Sequence, residues 1–280
     1  DRVSRRNPEP KDILERMMSI DTEQGVRLSS QRLQYLTGGL QPRGVWVVGG
    51  FSSTGKTALA LQGFREALDL GKACAYFSLE MSQEQLMLRL VANYARVPMR
   101  AIRLKDCDEQ QWYDVHAAQD KIAKMSGRMW MYDDVYSADE ICYLARKHKM
   151  QRGLDVVFVD YLQNLKTTRD KKHLDLEDAC NGFLALAKSL NCCVVALSQI
   201  TTGEARLKDE DVYTFKDAGA IRDVADKAFM LSRDREGERN APVGTLHCQV
   251  KKNRTWGLIG SVDLKFEFAT GRIWEASSDR

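Results

Sequence analysis

The chain has 280 residues, 44% hydrophobic and 29% charged, with a formal net charge of +3; it can bury one large core or two small ones, and its mild charge alone does not argue for nucleic acid. Seven cysteines without a C-x-x-C pair and four histidines without ligand spacing exclude a disulfide framework and a zinc site. They read as reduced thiols of a cytoplasmic protein and as surface or incidental imidazoles, and the absence of a transmembrane-length run or secretory leader means that no membrane partner is expected.

The chain opens on Asp1 rather than Met, as a fragment would. Residues 1 to 10 read as a polar lead-in. Asp12 to Ile20 sets Ile13, Leu14, Met17 and Met18 on one helical face. Leu33, Leu36 and Leu40 lead through Gly38-Gly39 into a first strand at Val45–Val48. The next residues are Gly50-Phe51-Ser52-Ser53-Thr54-Gly55-Lys56-Thr57, a G-x-x-x-x-G-K-T phosphate loop between that strand and a helix at Ala58–Leu70. Gly50 and Gly55 allow backbone that a Cβ would obstruct, and N–H groups of Ser52, Ser53, Thr54 and the helix start would ring phosphates. Lys56 would reach the β and γ phosphates of ATP, and the Thr57 hydroxyl would hold Mg²⁺.

Gly71 stops that helix, and a buried strand at Ala73–Leu79 ends on Glu80. Ser82 caps a helix at Gln83–Ala95, and a further helix covers 110 to 125. A strand at Met129–Tyr132 precedes a helix capped by Ser137 and running from Ala138 to Met150. The apolar strand Asp155–Val159 then ends on Asp160, a carboxylate placed on the same sheet edge as the phosphate loop and suited to a metal. Tyr161 follows, so no acid stands beside Asp160 to act as base. Glu80 is the alternative base, weighed against a solvated acid. A helix over 174 to 190 leads to a strand at Cys192–Ser198. Gln199 closes it and can sense a γ-phosphate, though a polar residue leaving a strand is an equal reading. Residues 201 to 214 read as a loop and 217 to 224 as a short helix. Strands at 227–232, 244–251, 260–268 and 272–274 complete the chain. Lys252 and Arg254 share one strand face; spacing alone favours a solvated edge over transition-state cations.

The alternation of strand and helix to residue 198 predicts an α/β fold with a mostly parallel, doubly wound sheet, extended by antiparallel C-terminal strands. One domain with a short N-terminal arm is expected.

Phe77-Ser78-Leu79-Glu80-Met81-Ser82, Val159-Asp160-Tyr161-Leu162-Gln163, Ala196-Leu197-Ser198-Gln199 and Lys252-Asn253-Arg254 together resemble the motifs of the DnaB family of replicative hexameric helicases, over roughly residues 25 to 275. The resemblance implies a RecA-like P-loop NTPase in residues 25–280, behind an arm and linker helix in 1–24 that docks on an adjacent subunit. It implies a ring hexamer that hydrolyses ATP with Mg²⁺ and translocates 5′ to 3′ on single-stranded DNA, with a helicase loader and a primase as candidate partners. In its terms Glu80 is the catalytic glutamate, Asp160 and Thr57 hold magnesium, and Gln199 senses the γ-phosphate. Lys252 and Arg254 act on a neighbour's ATP. The DNA loop corresponds to Lys216-Asp217-Ala218-Gly219, where Lys216 and the backbone near Asp217 and Gly219 would hold phosphate; Arg206 and Lys208 are weaker candidates. The family often has a Pro in the phosphate loop where this chain, reading Gly50-Phe51-Ser52-Ser53, has none, a departure that suggests a divergent member from a phage or mobile element. A second reading is a recombinase-like or clock-protein-like RecA-fold ATPase that binds DNA or protein without unwinding.

Overall fold

The computed structural model describes residues 9–19, 25–26, 30–166, 172–200, 224–233, 241–255 and 257–276. Among them, nine strands form one sheet. In chain order these are β1 (Val45–Gly50), β2 (Cys74–Ser78), β3 (Met129–Tyr132), β4 (Val156–Asp160), β5 (Cys193–Gln199), β6 (Lys227–Ser232), β7 (Val243–Asn253), β8 (Gly260–Glu267) and β9 (Arg272–Glu275). Their order across the sheet is β3-β2-β4-β5-β1-β6-β7-β8-β9. Every pairing from β3 across to β6 is parallel, and those from β6 to β9 are antiparallel. The helices are α1 (Pro10–Ser19), α2 (Gln31–Thr37), α3 (Lys56–Asp69), α4 (Gln83–Ala95), α5 (Met99–Leu104), α6 (Glu109–Ala123), α7 (Ala138–Arg152) and α8 (Lys172–Leu190).

Successive strand residues point to opposite faces, and here both faces are apolar. Trp46, Val48, Tyr76, Phe158, Val195 and Phe229 pack on one face with Leu59, Phe64, Leu86 and Leu90 of α3 and α4. Val45, Val47, Phe77, Val157, Val194 and Met230 pack on the other with Ile141, Phe183 and Leu186 of α7 and α8. Covering both faces this way gives the doubly wound arrangement expected, with the predicted strands displaced by at most a few residues at their ends.

Four local features differ from the sequence expectation. The short helix α2 has no counterpart in the sequence pattern. Two apolar residues within it, Leu33 and Leu36, are too few to mark a period, but Ser30 caps it by accepting from Leu33 N at 2.9 Å and Gly38 ends it at φ 70°. Helix α5 buries none of its six residues and so carries no apolar period. His148 is not at the surface. It stacks on Trp130 with ring centroids 4.1 Å apart, its Nε2 meets the Tyr132 hydroxyl at 2.5 Å, and burial pushes its pKa down. Arg254 lies one residue past β7, which ends at Asn253. The short helix expected over 217–224 lies, apart from Val224, outside the described residues.

All seven cysteines are free thiols, and six are buried. Burial pushes the Cys192 thiol up to about 11 and the Cys180 thiol up to about 12, so both are protonated and inert at neutral pH. No described helix is long and apolar enough to cross a membrane.

Candidate nucleotide-binding and catalytic site

The phosphate loop is shaped by contacts that leave no room for side chains at its two glycines. A Cβ on Gly50 would stand 2.8 Å from Thr54 Oγ1 and 3.0 Å from the Leu231 carbonyl. Gly55 adopts φ 112°, and a Cβ there would meet the Phe266 ring at 3.2 Å. Between them the Thr54 hydroxyl donates to the Phe51 carbonyl at 2.7 Å, Ser53 takes φ 59°, and Ser52 and Ser53 are exposed. Helix α3 begins at Lys56, so the positive dipole end of its first turn borders the loop. Lys56 is buried, and its ammonium donates to the carbonyls of Gly50 and Phe51, each at 2.8 Å.

Because β1, β2, β4 and β5 are parallel, their carboxyl ends share one edge. Gly50 stands opposite Gln199, and Ser78 opposite Asp160. Asp160 is 3% exposed. Burial raises its carboxyl above the usual range; hydrogen bonds from Thr57 and Tyr76 pull it back, nearby Glu80 raises it further, and Lys56 lowers it. The Tyr76 hydroxyl donates to Asp160 Oδ2 at 2.8 Å. The Asp160–Tyr161 peptide is cis. A hydroxyl and a buried carboxylate converging beside a phosphate loop fit Mg²⁺, which takes one or two protein oxygens and completes its shell with phosphate and water. No group of three or more His, Cys, Asp or Glu able to hold a metal occurs among the described residues.

Glu80 follows β2 and is exposed. Its backbone is held on both sides: Leu79 N donates to the Asp160 carbonyl at 2.7 Å, Asn164 Nδ2 donates to the Leu79 carbonyl at 3.0 Å, and Met81 N donates to Ser78 Oγ at 3.0 Å. Ser82 and Gln85 then form a capping box that starts α4. Glu80, Asp160, Lys56, Thr57 and Gln199 are thus brought to one edge.

Lys252 and Arg254 are not. Lys252 pairs with Ala228, and Arg254 N donates to the Asp226 carbonyl at 2.8 Å, whereas Gly50 is level with Leu231. Along the strands that is a displacement of about 10 Å for Lys252 and roughly 16 Å for Arg254, at about 3.3 Å per residue. A bulge at Lys251 resets the alternation, so that Asn253 turns inward and donates to the carbonyls of Leu36 at 2.8 Å and Leu258 at 3.0 Å, while Lys252 is half-buried and Arg254 exposed. Arg206, Lys208, Lys216, Asp217 and Gly219 lie outside the described residues.

Three contributions were not legible in the sequence. Tyr76 sits in an apolar strand with nothing to mark its hydroxyl as an Asp160 partner. Gln163 belongs to the Asp-Tyr-Leu-Gln string, yet only its hydrogen bonds to Gln199 reveal a role. Arg233, just past β6, lies over the rings of Phe266 and Phe268, with its guanidinium 5.7 and 4.6 Å from their centroids. This cation–aromatic cluster borders Gly55 through Phe266.

The sequence model of the DnaB-like helicase C-terminal domain matches residues 25–275. The chain is 31% identical over 287 residues to the replicative DNA helicase DnaB of Haemophilus influenzae, covering 96% of this chain and 59% of that protein. It is 28% identical over 239 residues to the protein of the same name from Helicobacter pylori strain J99, covering 80% of this chain and 49% of that one. The chain therefore spans about half to three-fifths of the length of these curated relatives. Among solved structures, a DnaB-like replicative helicase, described with its interactions with primase, is similar with a TM-score of 0.85 at 22% identity, over 95% of this chain and 67% of that one. At that identity the likeness establishes the fold, a RecA-like α/β domain. With one family matched across residues 25–275, the chain belongs to the DnaB-like helicase C-terminal domain family.

Proposed function

We propose that this chain is the ATPase motor of a replicative DNA helicase that works as a ring hexamer on single-stranded DNA, residues 1–24 serving as arm and linker helix. The observation that carries the reading is the convergence of Lys56, Thr57, Glu80, Asp160 and Gln199 on one sheet edge around a phosphate loop. Lys56 exchanges a loop carbonyl for β- and γ-phosphate oxygens of ATP. Thr57 and Asp160 would hold Mg²⁺, which would supply positive charge against the phosphates when bound. Glu80 orients and deprotonates the attacking water, and Gln199 meets the γ-phosphate at the mouth of the segment leading to Lys216. Arg233, stacked on the half-buried Phe268 while Phe266 lies buried beneath, offers a cationic and aromatic edge for the nucleotide base. Lys252 and Arg254 act on the ATP of a neighbouring subunit, and a loader and a primase are candidate partners of the assembled ring.

Glu80→Gln tests the assignment. Hydrolysis should fall by about 10²-fold or more while ATP still binds, the signature of a lost general base. Parental turnover in that variant would remove Glu80 from the mechanism. Strand displacement on a forked duplex, run with the parent chain, separates a helicase motor from an ATPase that binds DNA without unwinding it.

A further inference from the structure

Strand β4 stops at Asp160, but its neighbour β5 runs on to Gln199, and the pairing between them ends at Val159 and Ala196. A side chain fills the rung beyond. From the 3-10 turn Leu162–Asn164, Gln163 accepts from Gln199 N through Oε1 at 3.0 Å, and its Nε2 donates to the Gln199 carbonyl at 3.1 Å and to Ser198 Oγ at 2.9 Å. A primary amide offers the same donor and acceptor as a peptide group, so Gln163 extends the ladder where the strand has ended. The next residue reaches the opposite way: Asn164 Nδ2 donates to the carbonyl of Leu79, directly before Glu80. On its far side Gln199 lies opposite Gly50, and Ile200 N donates to the Gly50 carbonyl at 3.2 Å.

We propose that Gln163 is a positioning residue for hydrolysis, clamping the backbone of Gln199 against the phosphate loop while Asn164 fixes the approach to Glu80 from the same turn. The proposal rests on the reading of Gln199 as the γ-phosphate sensor. Gln163 is exposed, so its three hydrogen bonds, two of them to the backbone of Gln199, replace bonds that water could make. The clamp therefore contributes geometry rather than net stability. Gln199 can meet a γ-phosphate only when its backbone is fixed relative to the loop, and small misplacements at a reacting centre are costly in rate.

The test uses the full chain and compares Gln163→Ala, Gln163→Met, which keeps the volume without the amide, Gln199→Ala, and the double variant Gln163→Ala with Gln199→Ala. Both Gln163 variants should lower kcat by about 10-fold and leave the KM for ATP within about twofold, because ground-state binding is not what the clamp supplies. The double variant should be no slower than Gln199→Ala alone, since Gln163 acts through Gln199. Losses that multiply in the double variant, or a parental rate in both Gln163 variants, overturn the proposal. If Gln199→Ala itself turns over at the parental rate, the sensor reading fails and the proposal fails with it; a slow Gln199→Ala beside parental Gln163 variants sinks the clamp alone. Unfolding of both Gln163 variants would make the amide a fold-holding group and also overturn it.

Discussion

Asp160 shows how one residue can be unfavourable for the fold while serving the proposed chemistry. Its folded pKa is raised by burial above the ordinary value near 3.9. Between the unfolded and folded values the native state keeps a proton that the unfolded chain has released; above both, the native state carries a buried charge, and stability falls as pH rises from the unfolded value through the folded one. Asp160→Asn keeps an acceptor for the hydroxyls of Thr57 and Tyr76 and removes the buried charge. Its melting temperature at neutral pH should exceed that of the parent, by about 2–4 °C for each kcal/mol released in a chain of this size. The gain should vanish below the unfolded pKa, where both carboxyls are neutral. If Asp160 is the proposed metal carboxylate, the same variant should lose any thermal stabilisation gained from Mg²⁺ with nucleotide. Scanning calorimetry across pH 3 to 8 checks both parts, and a variant no more stable than the parent at neutral pH would contradict the burial argument.

At the scale of elements, Glu80 is anchored by the start of the next helix. Helix α4 begins with a capping box in which the Ser82 side chain accepts from Gln85 N and the Gln85 side chain accepts from Ser82 N. The cap lies two residues past Glu80, so it ends the segment that carries the proposed base. Ser82→Ala should cost about 1 kcal/mol of stability. It should also lower kcat for ATP hydrolysis several-fold with little change in KM, because the Glu80 segment loses its downstream anchor. Ser82→Asp retains a capping oxygen and should restore both stability and rate. If Ser82→Ala loses stability but hydrolyses at the parental rate, Glu80 is held by the Leu79 and Met81 bonds alone.

For the whole molecule, the sheet separates two sets of charges. Lys56 and Asp160 stand at the carboxyl edge, whereas Arg254 lies beside Asp226, at the opposite end of β6. A separation of roughly 16 Å along the strands exceeds the reach of an arginine side chain, so Arg254 cannot serve the phosphate loop of its own chain. Its proposed role therefore requires a second subunit. Subunits carrying Arg254→Ala and Lys56→Ala should each be inactive alone, since transition-state arginines contribute about 10³–10⁵ in rate. Mixed, they should regain part of the hydrolysis at interfaces that pair an intact loop with an intact Arg254. Mixed rings that form and yet hydrolyse nothing would refute the role in trans.

Local patterns in the chain were enough to specify the alternation of strand and helix, the parallel half of the sheet, the phosphate loop, and the strand-end residues Glu80, Asp160 and Gln199. Each rests on an apolar run of strand length, a helical period, or a glycine spacing that only one kind of turn satisfies. Helices α2 and α5 lack such a mark, because six or seven residues with few buried positions carry no period. Which strands are neighbours, and so which distant groups meet, emerges only when the chain is packed. Tyr76 reaches Asp160 across 84 residues of sequence, and Gln163 reaches Gln199 across 36. Those contacts exist because β4 inserts between β2 and β5. Strand order is set by how crossovers pack both faces of the sheet, and no stretch of a few residues encodes it.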